Sequence, residues 1–347
     1  MSKLRQKTAR TQLNCGDLAV KWLILFFSLI AILPLSGWLR KNPHYMTKLW
    51  TLMGILPFAL EPLHLYMAIV AWPLWPGFVK GLEVTAIDII AITIYMSLSR
   101  ARNPLPFRVA MGAYLLAVLL SVFQTVLPEA ALFYPFQLCR MFLLFAVVTR
   151  ACADKRVALS LLKGMAIGIS IEACVVIGQR FVLGEFQSAG TFAHQNTLGM
   201  VSHFIVFPFF ALLLAGKRGW EPPVVPIAGV VIALLTVSRA TLGLGGLGYV
   251  TVFAFSALRS WTLRKGMLAL VGLIAIGLLA PLALSSLETR FSNSPTSADY
   301  DERGAFENAA AAILSDHPMG IGANNYVVIA NTQGYNQRAG VAYNEGS

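Results

Sequence analysis

Charge is what this sequence has least of. Only 12% of its 347 residues are Asp, Glu, Lys or Arg, about half the share of a soluble globular domain. With 57% hydrophobic residues and a mean hydropathy of +0.67, the chain carries more apolar surface than one water-soluble core can hide. Acidic residues are scarcest, 16 against 27 Lys and Arg, which leaves a net charge of +11. No basic run is interleaved with aromatics, which argues against nucleic acid as a partner. The positive excess reads instead as loops anchored at anionic lipid head groups. Cysteine is also sparse. Cys15, Cys139, Cys152 and Cys174 lack metal-ligand spacing and none lies in the polar tail after residue 286, so a disulfide framework and a zinc site are both disfavoured. The basic N-terminus with Lys3, Arg5, Lys7 and Arg10 precedes an apolar stretch that no small-residue cleavage site follows; it reads as a retained first span and not a signal peptide. No repeat of fixed period, glycosidase-type carboxylate pair, Ser/His/Asp constellation or metal cluster stands out. Neither metal nor cofactor is therefore expected, which leaves arginines to meet any charge that develops.

What the sequence does have is a succession of long apolar runs. A membrane span needs roughly 20 mostly apolar residues, and candidates lie near 18–38, 82–99, 107–127, 130–149, 157–182, 197–216, 224–238, 240–258 and 266–285. The stretch 47–79 is long enough for one tilted span or two short ones broken at Glu61-Pro62. The fold class expected is an all-α polytopic membrane protein of about eleven spans. A cytoplasmic N-terminus (1–17) precedes the helical domain (18–285), and a polar segment with a short helix follows it (286–347). Loops with Arg100, Arg102 and Arg108, with Arg150, Lys155 and Arg156, with Lys217 and Arg218, and with Arg259, Arg264 and Lys265 alternate with loops poor in Lys and Arg. The rich loops are expected in the cytoplasm. A cytoplasmic N-terminus then requires 47–79 to cross twice, which puts Arg40, Lys41, Lys48 and Lys80 outside. The tail emerges on the outer face with Glu288, Asp299, Asp301, Glu302, Glu307, Asp316 and Glu345. Within it, Asp301–Leu314 is patterned as a helix with Phe306, Ala310, Ile313 and Leu314 on one face. Ser297 or Asp299 is the candidate cap, and Pro318 lies beyond its end.

Arg180, Arg239, Arg290, Arg303 and Arg338 stand out because they fall at or beyond the outer face. A guanidinium is always charged and its fork matches phosphate oxygens, so such a cluster suits a lipid-linked pyrophosphate. The alternative is separate ion pairs, such as Arg303 with Glu307, or snorkelling. Arg239 is the sharpest, lying in Thr236-Val-Ser-Arg-Ala-Thr241 between two apolar runs, where a charge is costly unless paired or wetted. Gly243, Gly245, Gly246 and Gly248 after it allow close helix approach. Arg140 and Glu172 are intramembrane charges that form a mutual ion pair or line a groove; Asp88 and Glu83 pose the same choice. In Gly190-Thr-Phe-Ala-His-Gln-Asn-Thr-Leu-Gly199, His194, Gln195 and Asn196 offer hydrogen bonds to sugar hydroxyls, or Asn196 caps a helix. His317, in Asp316-His-Pro318, is either a general base or the end of a helix.

Three of these passages, taken in order, resemble the O-antigen ligase and bacterial polysaccharide polymerase superfamily: Gly190–Gly199, Ser238-Arg239-Ala240 opening a span, and Arg303 with a helix running into Asp316-His-Pro-Met-Gly-Ile-Gly-Ala-Asn-Asn-Tyr326. The resemblance covers about 160–347. The first 150 residues are similar to exopolysaccharide polymerases in hydropathy and in passages such as Leu63-His-Leu-Tyr66 and Trp75-Pro-Gly77. It implies an inner-membrane glycosyltransferase of the GT-C type. Such an enzyme takes a glycan from undecaprenyl pyrophosphate at the periplasmic face and transfers it to another repeat unit (polymerase) or to lipid A-core (ligase). On this resemblance Arg239 and Arg303 meet the pyrophosphate; Arg180 and Arg290 join them by charge placement, with His194, Gln195, Asn196 and His317 as further substrate contacts. Membrane lipids and other polysaccharide assembly proteins are the implied neighbours. The family's base is a histidine in a His-Asn-type motif before a returning span. The sequence reaches Ser347 before any such motif, leaving two readings, a fragment or a truncated, inactive protein. A lipid-linked oligosaccharide flippase or transporter, or a non-catalytic assembly subunit, is the rival from another class.

Overall fold

The computed structural model describes residues 15–72, 74–98, 104–293 and 296–341, and of residues 15–19 and most of 279–303 only the backbone. The chain is mostly helical. Helices α1 (Cys15–Lys41) and α2 (Tyr45–Ala59) lead into strands β1 (Tyr66–Ala71) and β2 (Gly81–Thr85). Helices α3 (Ala86–Ser97), α4 (Arg108–Ser121), α5 (Pro128–Ala131), α6 (Phe133–Ala151), α7 (Lys155–Phe181), α8 (Gln195–Leu214), α9 (Glu221–Leu235), α10 (Arg239–Arg259) and α11 (Leu263–Asn293) follow. The tail holds α12 (Thr296–Asp316), α13 (Tyr326–Thr332) and α14 (Tyr335–Arg338).

Among the described residues five helices are long and apolar enough to cross a membrane: Val20–Lys41, Pro128–Ala151, Lys155–Phe181, Gln195–Leu214 and Arg239–Arg259. Ala86–Ser97, Arg108–Gln124 and Glu221–Leu235 are apolar but shorter. The outward faces carry Leu23, Ile24, Phe26 and Phe27 on α1 and Leu244, Leu247 and Val250 on α10, all exposed. Surfaces of this kind are stable against lipid and not against water.

Among the described residues the structure departs from an all-α fold in one place. The stretch expected to cross twice is a single helix, α2, then a break at Leu60–His64 and an antiparallel β1–β2 ribbon, with Tyr66 opposite Thr85 and a bulge between Ala68 and Val70. Val, Ile and Thr residues with Gly81 at the turn-out favour the pleat over a second short helix. Thr85 and Asp88 then exchange side-chain and backbone hydrogen bonds in a capping box that starts α3, satisfying orphan donors of its first turn.

The ribbon changes the sorting of helix ends. Lys21 of α1 lies over the Tyr66 ring at 5.8 Å, whereas Arg40 at its other end donates to the Met96 carbonyl at the end of α3. Arg150, ending α6, covers the Tyr95 ring at 5.0 Å. Arg40 and Lys41 therefore belong to the end that carries Arg150, and the described residues before 99 hold three helices where four crossings are expected. Arg100, Arg102 and the basic N-terminal residues Lys3, Arg5, Lys7 and Arg10 lie outside the described residues.

Two cores share α2 and α7. Phe58 meets Ala166, Ile169, Ala173 and Val176 of α7 with Leu198, Ile205 and Val206 of α8 and Val225 and Ile232 of α9. Trp50, Met53 and Leu56 meet Ala91, Ile94, Val147 and Val157. Backbones of α2 and α7 touch at Gly54 and Gly164, where a Cβ on Gly164 would fall 2.0 Å from the Thr51 carbonyl oxygen; only glycine permits that contact.

Helix α11 runs unbroken past residue 285, so the boundary expected there is not a change of element. The tail helix starts earlier than expected, at Thr296, with Ser297 and Asp299 inside it, and ends before Pro318. Its buried face is Ala305, Ala309 and Ile313, packed on Ile329, Ala330 and Tyr335. Ala310 and Leu314 are exposed, because the partner is the small α13–α14 hairpin and the apolar stripe shifts by one residue to meet it.

Candidate functional site at the junction of α8 and α10

The Gly190–Gly199 passage is held from below by α7. The buried Glu172 carboxylate accepts the Thr191 N–H at 2.9 Å and also the Thr191 hydroxyl. Gln179 grips Gly190 twice, accepting its N–H at 2.8 Å and donating to its carbonyl at 2.9 Å. Gly190 has φ +64, and a Cβ there would lie 2.0 Å from Glu172 Oε2, so both conformation and space demand glycine. The chain then enters α8. His194 is the N-cap, its Nδ1 accepting the Asn196 N–H at 3.1 Å. Asn196 is thus not the cap. Its Oδ1 accepts the Ser238 hydroxyl at 2.8 Å, and Ser238 Oγ in turn accepts the Thr241 N–H as N-cap of α10.

Two of the recognised passages therefore meet. Below that bond the helices stay close. A Cβ on Gly199 would sit 1.9 Å from Thr241 Oγ1, and His203 Nε2 donates to the Thr241 carbonyl at 3.2 Å. Of the glycine run on α10, Gly245 and Gly248 face His203 and Phe207, while Gly243 and Gly246 face open space. The N-termini of α8 and α10 open side by side, so their positive dipole ends share one corner.

Arg239 is the first residue of α10, half-buried and engaged with its surroundings. A cation there opposes the helix dipole. The residue before its cap, Val237, has φ +50 and is buried. A β-branched side chain in the left-handed region costs about 1–3 kcal/mol, so this turn is held by its surroundings and not by local preference. The loop before α8 closes on the same corner: the Ser188 N–H donates to the Leu235 carbonyl at 3.2 Å and Gln195 donates to Gln187 at 3.3 Å. Arg180 is fastened within that loop, donating to the Phe186 carbonyl at 2.8 Å with its guanidinium over the Phe186 ring at 5.1 Å.

The third passage docks elsewhere. His317 ends α12, its N–H bonded to the Ile313 carbonyl at 2.8 Å. Asn324, at φ +60, accepts the Val79 N–H at 2.9 Å and donates to the Val79 and Ala130 carbonyls at 2.8 and 2.9 Å. The Ala323 N–H donates to Ser121 Oγ at 3.2 Å. The bonds made by Ala323 and Asn324 thus run to the ribbon and to the Ser121–Ala130 turn, away from the Asn196–Ser238 bond. Arg338 covers the Tyr335 ring at 4.4 Å. Arg290 and Arg303 fall on described backbone, but their side chains lie outside the described residues.

The intramembrane charges pair differently from expectation. Arg140 does not reach Glu172; its Nε and Nη2 donate to Asp88 Oδ2 at 2.9 and 2.7 Å. Glu172 is taken by Thr191, a contact that nothing in the sequence pattern signals. A carboxylate inside an apolar helix needs donors, and a nearby polar loop is as good a source as a distant arginine. Among the described residues no group of His, Cys, Asp and Glu could hold a metal ion. In comparison with known proteins, no family model matches the chain, and no curated protein or solved structure matches it either.

Proposed function

We propose that this membrane protein is a glycosyltransferase that moves a glycan from a polyprenyl pyrophosphate carrier, undecaprenyl pyrophosphate in bacteria, to an acceptor sugar hydroxyl. One observation supports the reading above all: the Asn196–Ser238 bond sets two helix N-termini side by side with Arg239 on one of them. Two positive dipole ends and a guanidinium at one corner suit a pyrophosphate leaving group, whose negative charge grows as it departs. In the reaction the acceptor hydroxyl attacks the anomeric carbon. The bond to the pyrophosphate oxygen breaks with its electron pair going to the carrier, and the hydroxyl proton passes to a general base.

The junction would face the periplasm of an inner membrane. What supports this orientation is the opposite end of the helices, where Arg40, Lys41, Arg150, Lys155, Arg156, Lys217, Arg218, Arg259 and Arg264 collect, as cytoplasmic ends do. Polymerisation of exopolysaccharide or O-antigen repeat units is the preferred activity; ligation to lipid A-core is the alternative on the same chemistry.

The test is product formation in proteoliposomes supplied with a lipid-linked repeat unit. Arg239→Ala is expected to reduce turnover by about 10²–10³-fold while the protein stays monodisperse, with Arg239→Lys restoring part of it. Near-normal product from Arg239→Ala would sink the proposal, and translocation of the labelled donor without bond formation would point to a flippase.

A further inference from the structure

Between β1 and β2, residues 74–80 alternate without a break: Leu74, Pro76, Phe78 and Lys80 are exposed and Trp75, Gly77 and Val79 buried. Alternation of this kind marks an extended segment with one face docked. The docked face is accounted for, since Trp75 and Val79 pack on Ala130 and Phe133 and Asn324 holds Val79 from the tail side. The free face is not polar, as a water-facing one would be. Leu74 is 97% and Phe78 92% exposed. The turn that follows α4 repeats the pattern, with Phe123 87% and Val126 60% exposed. None of these residues lies within the five apolar helices, so lipid around those helices does not by itself explain them.

We propose that Leu74 and Phe78 on the ribbon, with Phe123 beside the tail's docking turn, insert into the boundary between head groups and acyl chains of the membrane leaflet on this side. Depth is the argument. Trp75 and Val79 rest on the first turn of the Pro128–Ala151 span, which has 24 residues. At 1.5 Å per residue that helix is about 36 Å long, longer than a hydrocarbon core of roughly 30 Å, so its first turn stands at head-group level. A loop packed there has its free face at the interface. The aromatic groups at the same level fit that depth: Trp72 packs on Phe133 at 5.5 Å, and the Tyr114 and Tyr134 hydroxyls meet at 3.3 Å. Such rings collect where apolar and wet surroundings meet. Lys80 closes the exposed row, where its ammonium reaches lipid phosphates.

This anchor stands independently of the catalytic reading. The test places an NBD fluorophore on Leu74→Cys, Phe78→Cys and, as an aqueous reference, Gln337→Cys of the full chain. The proteins are reconstituted in phosphatidylethanolamine–phosphatidylglycerol vesicles, and the label on the unsubstituted chain is subtracted. Expected are blue-shifted emission at 74 and 78, quenching by lipids with a nitroxide high on the acyl chain, and severalfold weaker iodide quenching than at 337. Emission and iodide quenching at 74 and 78 equal to those at 337 would overturn the proposal. So would protection from iodide without quenching by nitroxide lipid, which would assign the face to a second copy of the chain.

Discussion

Asn196 and Ser238, separated by 42 residues in sequence, share a 2.8 Å hydrogen bond that joins the start of α8 to the cap of α10. Ser238 does two things at once, since its hydroxyl oxygen also accepts the Thr241 N–H. Ser238→Ala removes both contacts and is expected to cost about 1–2 kcal/mol. Asn196→Ala leaves the cap and removes only the bridge. A double-mutant cycle in detergent should return a coupling of about 0.5–1.5 kcal/mol; additive effects would mean the two helix starts do not depend on each other.

The Asp88–Arg140 pair is largely shielded, with side-chain exposures of 5% and 16%. Thr85 adds its N–H and hydroxyl to the same Asp88 oxygen at 2.7 and 2.8 Å. Removing either charge alone strands the other, so Asp88→Ala and Arg140→Ala are each expected to destabilise by about 3–5 kcal/mol. Replacing both by apolar residues should cost less than either. Glu172→Gln, which leaves Arg140 its partner, is expected to have the smaller thermal shift. Heating followed by size exclusion of the folded fraction ranks the four proteins.

Within the glycine run of α10 the same substitution should have opposite effects. A Cβ on Gly248 would meet the Phe207 ring at 2.0 Å, whereas Gly243 and Gly246 have open space. Gly248→Ala is expected to destabilise by about 1–3 kcal/mol, and Gly243→Ala and Gly246→Ala to stabilise by about 0.5–1 kcal/mol. Thermal midpoints check the ordering, and equal effects at all three positions would contradict the α8–α10 contact.

The tail should loosen at alkaline pH. The Tyr335 hydroxyl donates to Asp316 Oδ2 at 2.7 Å, and that hydrogen bond, with burial and the Asp316 charge, holds the phenol above its ordinary value of 10.0. The neutral phenol is the form the fold favours. Its contribution is therefore complete below the ordinary phenol range and is lost as pH rises through the elevated folded value. Hydrogen exchange in α12–α14 should accelerate above that range, and Tyr335→Phe should remove the pH-dependent step while lowering protection at neutral pH.

Much of the helical frame could be read from the residues. Apolar runs of span length gave α1, α6, α7, α8 and α10, the Glu61-Pro62 break falls where α2 ends, and Pro318 follows the end of α12. The β1–β2 ribbon could not, because Tyr66–Ala71 is as apolar as a helix and only its pairing with Gly81–Thr85 shows that it is not one. The His194–Asn196 passage was legible as a polar helix start, but the residue that caps it was not: Asn is the preferred type at a cap, yet His194 takes that place and the Asn196 side chain accepts the Ser238 hydroxyl.

Composition and pattern alone pointed this chain to a membrane, since few charges and many apolar runs suit lipid better than water. They also marked which polar residues were out of place there. Which of those residues meet was decided by tertiary structure. Glu172 took Thr191, Arg140 took Asp88, and Asn196 took Ser238. A buried polar group binds whichever donor or acceptor the helix packing brings within about 3 Å, and contacts such as Gly54 on Gly164 set that packing from far along the chain.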